Sequence, residues 1–260
     1  MGKFKTPGAG PVRRDARRGT AAEKGHGVWL YGLHAVAAAL TNPMRQVRRL
    51  VATAEGAAKL SHMAPDASPD ILDRQALERL LPPGAVHQGV ALSAEALAQP
   101  DLEGIVVRAG DAAVVVILDQ VTDPHNIGAV LRSAAAFGAL AVIQCERGAP
   151  SATGIVAKSA SGALEFVPLV TVTNISRTLD RLKAAAFWCI GLDGTADRTL
   201  AEASLSGRIA LVLGAEGKGL RRLTREHCDL LAHLPTRPPI TSLNVSNAAA
   251  VALYELVRER

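Results

Sequence analysis

Five continuous, mainly apolar runs, separated by stretches of helical periodicity, constrain the fold of this chain more than any other feature. After Ala112 the runs read V-V-V-I-L-D, L-A-V-I-Q-C, V-P-L-V-T-V, W-C-I-G-L and I-A-L-V-L-G. Between them lie helical stretches such as I-G-A-V-L-R-S-A-A-A-F. Strands that are apolar on both faces are typical of a parallel sheet covered by helices. The pattern predicts a doubly wound α/β domain whose ligands bind at the carboxyl ends of the strands.

A shorter unit with a mixed pattern precedes that domain. We expect strands at V-W-L-Y, at V-R-R-L-V-A-T and near V-H-Q-G-V-A-L, with helices from His34 to Leu40 and near D-R-Q-A-L-E-R-L-L. The following stretch has no clear period and is interpreted as a linker. The predicted division is a small α/β domain at 28–100, a linker at 101–111 and the larger domain at 112–260.

The net charge of the chain is concentrated in its first segment. Residues 1–27 hold seven basic and two acidic side chains, a net charge of +5 that equals the formal charge of all 260 residues. This composition predicts a disordered basic tail on a body without net charge. A solvated leader and a tether for a polyanion such as RNA both fit the tail, since basic residues near phosphates release counterions.

Composition also argues against several classes of protein. No apolar run approaches the roughly 18 residues of a membrane span, and no apolar segment of a signal peptide follows the basic N-terminus. We therefore expect a cytoplasmic protein without a membrane partner. Cys145, Cys189 and Cys228 are far apart and form no C-x-x-C pair. This arrangement favours reduced, buried thiols over disulfides and predicts no metal site.

The loop after the first apolar run carries polar residues at a predicted helix start. Pro124 suits the first position of a helix and Asp123 suits its cap, so that Asn126 and Arg132 lie in the first turns. Taken alone, Asn126 is more readily explained as a further cap, and Arg132 as a solvated helix charge.

The loop after the fifth run, L-G-A-E-G-K-G-L-R, is rich in glycine but is not a Walker phosphate loop. Val212 stands where the first glycine belongs, and Gly219 stands where Ser or Thr is required. Its glycines instead allow a sharp bend and a close approach to a ligand, with Glu216 at the tip. A tight turn before a helix explains the loop equally well. A third loop, L-P-T-R-P-P-I-T-S-L-N, leads into the alanine-rich last helix.

Four sequence blocks together carry a resemblance to a known family. They are N-x-G-A-x-x-R-S-A at 126–134, K-S-A-S-G-A-L-E at 158–165, L-G-A-E-G-K-G-L-R at 213–221 and S-L-N-V-S-N-A-A-A at 242–250. The chain resembles the SpoU (TrmH-like) family of RNA ribose 2′-O-methyltransferases, part of the SPOUT superfamily. Residues 28–100 are similar to the ribosomal-protein-like (L30e-like) RNA-binding domain of the members that methylate a guanosine in large-subunit ribosomal RNA.

The resemblance implies a fold that periodicity does not predict. In this family the C-terminal segment threads through a loop to form a deep trefoil knot, S-adenosylmethionine binds in the knot, and the enzymes are homodimers. The implied reaction transfers a methyl group from S-adenosylmethionine to the ribose 2′-OH of a guanosine in 23S ribosomal RNA. The implied partners are large-subunit ribosomal RNA or its assembly intermediate, and a second copy of the chain bound through the knotted domain.

The resemblance also assigns the residues of the site. Arg132 is the group placed at the ribose hydroxyl. A guanidinium with a pKa above about 12 is a weak base, so its role stays open between proton acceptor and phosphate clamp. Glu216 either orients Arg132 or lies near the cationic methyl donor. The other implied catalytic residues are Asn126, Ser242 and Asn244. The implied cofactor contacts are Leu213, Gly214, Leu234 and Leu243.

One stretch of the sequence departs from the family pattern, and the blocks do not by themselves specify which RNA is methylated. The family has I-P-M-x-G where this chain has L-P-T-R-P, so Thr236 replaces methionine and Pro238 replaces glycine. Proline stiffens the loop, which puts the shape of the cofactor pocket in question. A relative that methylates transfer RNA or a ribosomal adenosine shares every block. A non-catalytic RNA-binding assembly protein is a second alternative, which the complete set of catalytic residues argues against.

Overall fold

The computed structural model describes residues 27–146, 154–239 and 241–258. The basic tail predicted at 1–27 lies outside these ranges, apart from Gly27. The described residues form two sheets of different type, and each follows from its sequence pattern.

The first sheet is small and mixed. Its strands are β1 (Val28–Tyr31), β2 (Val47–Ala52), β3 (Asp70–Ile71) and β4 (Val90–Ala94). In the order β1-β4-β2-β3, β4 pairs antiparallel with both neighbours and β3 adds to β2 in parallel. The connecting helices are α1 (Leu33–Thr41), α2 (Ala54–Ser61) and α3 (Arg74–Glu78). The predicted strand near V-H-Q-G-V-A-L begins only at Val90, because Gln88 and Gly89 both have positive φ angles and form a turn.

The second sheet confirms the predicted parallel architecture. All six strands are parallel in the order β10-β8-β9-β5-β6-β7. They are β5 (Val114–Asp119), β6 (Ala141–Cys145), β7 (Leu169–Val172), β8 (Phe187–Leu192), β9 (Arg208–Gly214) and β10 (Leu230–Ala232). Each of the five apolar runs is a strand. The sequence missed β10, because three residues are too few to display a pattern.

Helices cover both faces of the parallel sheet. They are α4 (Leu102–Arg108), α5 (Pro124–Ala136), α6 (Gly154–Ser159), α7 (Ile175–Ala184), α8 (Arg222–His227) and α9 (Val245–Val257). On β5, Val115 and Ile117 pack with α4 and α7, whereas Val116 packs with α5, α6 and α9. Helix α4 lies within the stretch interpreted as a linker. Asp101 caps it and Ile105 is fully buried under the sheet, so this stretch contributes to the core.

The core above the parallel sheet continues into the first sheet. One cluster of buried side chains includes Leu30 of β1 and Leu92 of β4 together with Val156 of α6 and Leu253 of α9. The two sheets are therefore joined by a continuous apolar core as well as by the chain. No helix in the described ranges is long and apolar enough to cross a membrane.

Candidate active site

Three of the residues implied for catalysis meet at one amide side chain. Asn244 Nδ2 donates to Asn126 Oδ1 at 3.1 Å and lies 3.4 Å from Glu216 Oε2. The side-chain oxygen Oδ1 of Asn244 accepts the backbone N–H of Ser246 and thereby caps α9. The start of α5, the loop after β9 and the start of α9 thus converge on Asn244.

The helix start predicted for α5 is confirmed. Pro124 occupies the first turn, and the Asp123 carboxylate accepts the backbone N–H of His125 at 2.9 Å. The missing N–H of proline is no loss in the first turn, because that group has no partner within a helix. This cap fixes the position of Asn126 at the carboxyl edge of the sheet.

The glycine loop after β9 folds back on itself. Gly219 N donates to the carbonyl of Ala215 at 2.8 Å, and a Cβ atom added to Gly214 would lie 2.1 Å from the Gly219 carbonyl carbon. Gly217 has φ +77°, a conformation that favours glycine. The tight return leaves Glu216 exposed at the carboxyl edge of the sheet.

A cavity of about 280 Å³ opens beside this loop. This volume lies near the lower end of ordinary ligand pockets, which start at about 300 Å³. Six of the predicted site residues line it: the four implied cofactor contacts, Leu213, Gly214, Leu234 and Leu243, together with Glu216 and Ser242.

The chemistry of this lining fits S-adenosylmethionine. The leucine side chains offer apolar surface to a purine ring. The carboxylates of Glu216 and Asp193, which also lines the cavity, suit a positively charged donor. The open space beside Gly217, where an added Cβ would meet no atom within 4 Å, lets a ligand approach the backbone.

Thr236 and Pro238, the two residues that depart from the family motif, lie in the loop that forms one wall of the cavity. Thr236 lines the cavity, and its hydroxyl donates to the carbonyl of Thr241 at 3.1 Å. This bond closes the turn in which Pro238 is exposed to solvent. The hydroxyl therefore tightens the loop at the position where the family carries methionine.

Arg132 stands apart from this cluster. It is exposed on α5, six residues after Asn126, which corresponds to about 9 Å along the helix axis and a different side of the helix. It is not among the residues that line the cavity. The structure thus brings together Asn126, Glu216 and Asn244 but leaves Arg132 outside their hydrogen bonds.

Sequence reasoning missed the loop after β8. Leu192, Asp193 and Gly194 line the cavity, and Asp193 pairs with Arg225 of α8. Burial alone would raise the pKa of the Asp193 carboxyl, but hydrogen bonds from Thr195 and the charge of Arg225 outweigh it and lower the pKa. The signal was available, because W-C-I-G-L is a parallel strand whose carboxyl end faces the same edge.

A second missed contact holds the glycine loop. Asp119 at the end of β5 is completely buried, and its carboxylate accepts the backbone N–H of Arg221 at 3.0 Å and Nε at 2.7 Å. A buried carboxylate is stable only with such partners. The pair ties the loop after β9 to the neighbouring strand.

The thiols lie outside the site. Burial raises the pKa of Cys189 and of Cys228 to about 12 in each case. Such thiols are unreactive near neutral pH, because the thiolate is the nucleophile. No group of His, Cys, Asp and Glu side chains within the described ranges has an arrangement that could hold a metal ion.

Comparison with known sequences gives the family. The sequence model of the SpoU rRNA Methylase family matches residues 113–254, which is more than half of the chain. The chain belongs to the SpoU rRNA Methylase family. A second model, described as RNA 2′-O ribose methyltransferase substrate binding, matches residues 29–100.

Curated relatives match this chain over nearly their whole length. The chain is 41% identical over 246 residues to the 23S rRNA (guanosine-2′-O-)-methyltransferase RlmB of Pseudomonas aeruginosa, covering 89% of this chain and 96% of the relative. It is 42% identical over 241 residues to the enzyme of the same name from Haemophilus influenzae, covering 89% and 97%. The resemblance inferred from the sequence blocks is confirmed.

Solved methyltransferase structures share the fold. The SpoU methyltransferase AviRb from Streptomyces viridochromogenes, solved in complex with AdoMet, superposes with a TM-score of 0.77 at 24% identity and 91% coverage of both chains. A putative RNA methyltransferase of the TrmH family from Porphyromonas gingivalis gives a TM-score of 0.72 at 25% identity, covering 91% and 92%. Both likenesses extend over the two sheets.

Proposed function

We propose that this protein transfers a methyl group from S-adenosylmethionine to the ribose 2′-OH of a guanosine in 23S ribosomal RNA. The observation that carries the proposal is the identity of about 40% to curated enzymes of that activity over almost the whole chain. The cytoplasmic location expected from the sequence is part of the proposal.

The cavity beside the glycine loop is the proposed cofactor site. Bound S-adenosylmethionine supplies a methyl group activated by a positively charged sulfur. Leu213, Leu234 and Leu243 would enclose its apolar part, and the backbone around Gly214 would lie against it. The carboxylate of Glu216 would lie near the positive charge.

The ribose hydroxyl is proposed to react at the edge where Asn126, Asn244 and Glu216 meet. A ribose hydroxyl is a poor nucleophile near neutral pH, so transfer requires proton removal and an in-line approach. The linked amides of Asn126 and Asn244 would hold both loops and the ribose in position. Ser242, in the cavity wall, adds a hydroxyl that both donates and accepts.

Arg132 is proposed to act on the RNA rather than on the cofactor. It is exposed on α5 and lies outside the cavity lining. A guanidinium binds a phosphate in a planar, two-pronged geometry. Arg132 either clamps a substrate phosphate or accepts the proton of the hydroxyl, and Arg132→Lys tests whether its planar guanidinium is required beyond its charge.

The finer architecture belongs to the same proposal. We propose residues 28–100 as an L30e-like RNA-binding domain, 101–111 as the connection and 112–260 as a catalytic domain with a trefoil knot. The walls of the cavity come from the loops after β8, β9 and β10, which are the loops proposed to form the knot. We also propose a homodimer through this domain, supported by exposed Val251 and Tyr254 on α9.

Mapping of ribose methylation on ribosomal RNA tests the proposal. Cells with and without the protein are compared, and purified protein is incubated with labelled S-adenosylmethionine, 23S fragments and transfer RNA. We expect one guanosine in 23S RNA to lose its 2′-O-methyl group in cells without the protein, with activity in vitro unaffected by chelator. Label on a base, on an adenosine or chiefly on transfer RNA would contradict the proposal. RNA binding without any transfer would favour a non-catalytic assembly protein.

A further inference from the structure

The block K-S-A-S-G-A-L-E at 158–165 lies away from the cavity. It spans the end of α6 and a short 3₁₀ helix, Ala163–Glu165, that packs against α1 of the first domain. None of its residues lines the cavity beside the glycine loop. These residues contact the first domain instead of the proposed cofactor site.

Glu165 receives three hydrogen bonds from the first domain. Arg45 Nη2 lies 2.6 Å from Oε1, and Arg45 Nε and Asn42 Nδ2 lie 3.2 Å and 2.7 Å from Oε2. The Arg45 and Glu165 side chains are only 5% and 3% exposed. The arginine also donates from Nη1 to the carbonyl of Glu95 at 2.7 Å. A two-pronged pair this deeply buried has strict geometry, because neither charge tolerates loss of its partner.

The rest of the block packs closely on the same domain. A Cβ atom added to Gly162 would lie 2.5 Å from the Cβ of Ala38 in α1. At the start of α6, a Cβ added to Gly154 would lie 2.6 Å from the carbonyl oxygen of Trp29. Lys158 Nζ donates to the carbonyl of Val86. Glycine lets the two backbones approach, and no larger residue fits these positions without movement.

The other side of α6 contacts the helix that carries Arg132. A Cβ added to Gly128 of α5 would lie 2.3 Å from the Cβ of Ser159. Ser159 Oγ also lies 3.1 Å from Nδ1 of His125, the residue before Asn126. Helix α6 is thus held between the first domain and the first turn of α5, with close contact on both sides.

We propose that residues 154–165 couple the RNA-binding domain to helix α5, and that Glu165 is a positioning residue for methyl transfer. The Arg45–Glu165 pair fixes the orientation of the first domain, and α6 passes that orientation to Asn126 and Arg132. Loosening the pair leaves both binding sites intact but misplaces bound RNA relative to the methyl donor. The inference rests on the proposed function.

The test compares Glu165→Gln with Glu103→Gln in the full-length protein. Glu103 forms a two-pronged pair with Arg181 as well, but that pair is exposed on the surface and involves only α4 and α7. The measurements are titration of S-adenosylmethionine, binding of a 23S fragment, and single-turnover methylation at saturating RNA. We expect Glu165→Gln to keep both affinities and to lower the single-turnover rate by about tenfold, a typical size for coupled residues. We expect Glu103→Gln to behave as wild type.

Asn42→Ala is the milder variant, because it removes one hydrogen bond and keeps the ion pair. We expect a smaller decrease of the same rate, and this variant carries the test if Glu165→Gln does not fold. A wild-type rate at saturating RNA in the variants that fold would overturn the coupling. So would a decrease fully explained by weaker RNA binding.

Hydrogen exchange separates failure of the coupling from failure of the proposed function. If the wild-type protein methylates no ribosomal RNA, the proposed function fails, and exchange of backbone amides still tests the coupling. Faster exchange in Glu165→Gln at both 155–159 and 125–132, but not in Glu103→Gln, supports it. Acceleration confined to 163–165 overturns it.

Discussion

At the scale of single residues, Asn244 performs two separable tasks. Its oxygen caps α9, and its Nδ2 group links Asn126 and Glu216. Aspartate caps a helix as well as asparagine does but has no donor. It also adds a negative charge beside Glu216. A substitution that keeps the cap therefore isolates the role of the donor.

We predict that Asn244→Asp lowers single-turnover methylation about a hundredfold, the scale for loss of one positioned donor. The free energy of unfolding should change by less than about 1 kcal/mol, because the cap remains. Single-turnover assays and urea unfolding measure the two effects. Asn247→Asp, exposed on the same helix, is the control and should leave both unchanged. Normal turnover in Asn244→Asp would remove the linked amides from the mechanism.

Arg132 offers a second contrast, between charge and shape. Lysine keeps the charge and loses the planar fork of the guanidinium. We predict that Arg132→Lys lowers turnover by at least about a hundredfold, as expected for a positioned catalytic group, with little change in affinity for S-adenosylmethionine. Single-turnover methylation and direct cofactor titration measure the two quantities. Near-normal turnover would make Arg132 a phosphate-binding charge.

Glu216 should behave differently from Arg132. It lines the cofactor cavity and contacts Asn244, so it serves both the pocket and the site of reaction. We predict that Glu216→Ala lowers both turnover and affinity for S-adenosylmethionine, measured in the same two assays. Unchanged cofactor affinity would place the acidic side chain on the RNA side of the site.

At the scale of elements, the contact between α5 and α6 depends on one glycine. A Cβ atom on Gly128 would lie 2.3 Å from Ser159 Cβ, and both residues lie on helices that have close neighbours on their other sides. We predict that Gly128→Ala lowers the free energy of unfolding by about 1–3 kcal/mol, as for other overpacked cores. Urea unfolding of the full chain is the measurement.

Gly110→Ala is the matched control for that substitution. Gly110 lies in the turn before β5, does not have a positive φ angle, and an added Cβ there would meet no atom within 4 Å. The same chemical change should therefore raise the free energy of unfolding by about 0.4–1 kcal/mol through the unfolded state. Equal effects at the two positions would show that α5 and α6 have room to separate.

At the scale of the whole molecule, the two sheets share one core. Buried side chains of β1 and β4 belong to the same cluster as those of α6 and α9. The buried Arg45–Glu165 ion pair also links the region of the first sheet to that of the parallel sheet. Unfolding of either sheet would expose the apolar surface of the other, so we expect them to unfold together.

The two tryptophans of the chain provide the probes, since Trp29 lies on β1 and Trp188 on β8. We predict that Trp29→Phe and Trp188→Phe variants, each with one remaining tryptophan, show fluorescence transitions at the same urea concentration as the loss of helical signal. Separate midpoints for the two probes would mean that the domains unfold independently.

The sequence by itself determined the parallel sheet, the covering helices, the capped start of α5 and the family. Each strand, helix start and block is encoded within about 15 neighbouring residues. The family follows from four such blocks that occur in order between residues 126 and 250. The elements that it missed were short or without period. Among them are helix α2, the two-residue strand β3, the three-residue strand β10 and helix α4, whose seven residues lie where a linker was expected.

Only the tertiary structure decided which distant residues meet. Asn244 contacts Asn126 across 118 positions of sequence, and Arg45 contacts Glu165 across 120. Such pairs depend on the path of the chain between them, which periodicity does not record. The sequence therefore identified Asn126 and Asn244 as site residues, and it included Glu165 in a family block without giving it a role. The role proposed for Glu165 depends on its burial against Arg45, where an ionised group needs its partner.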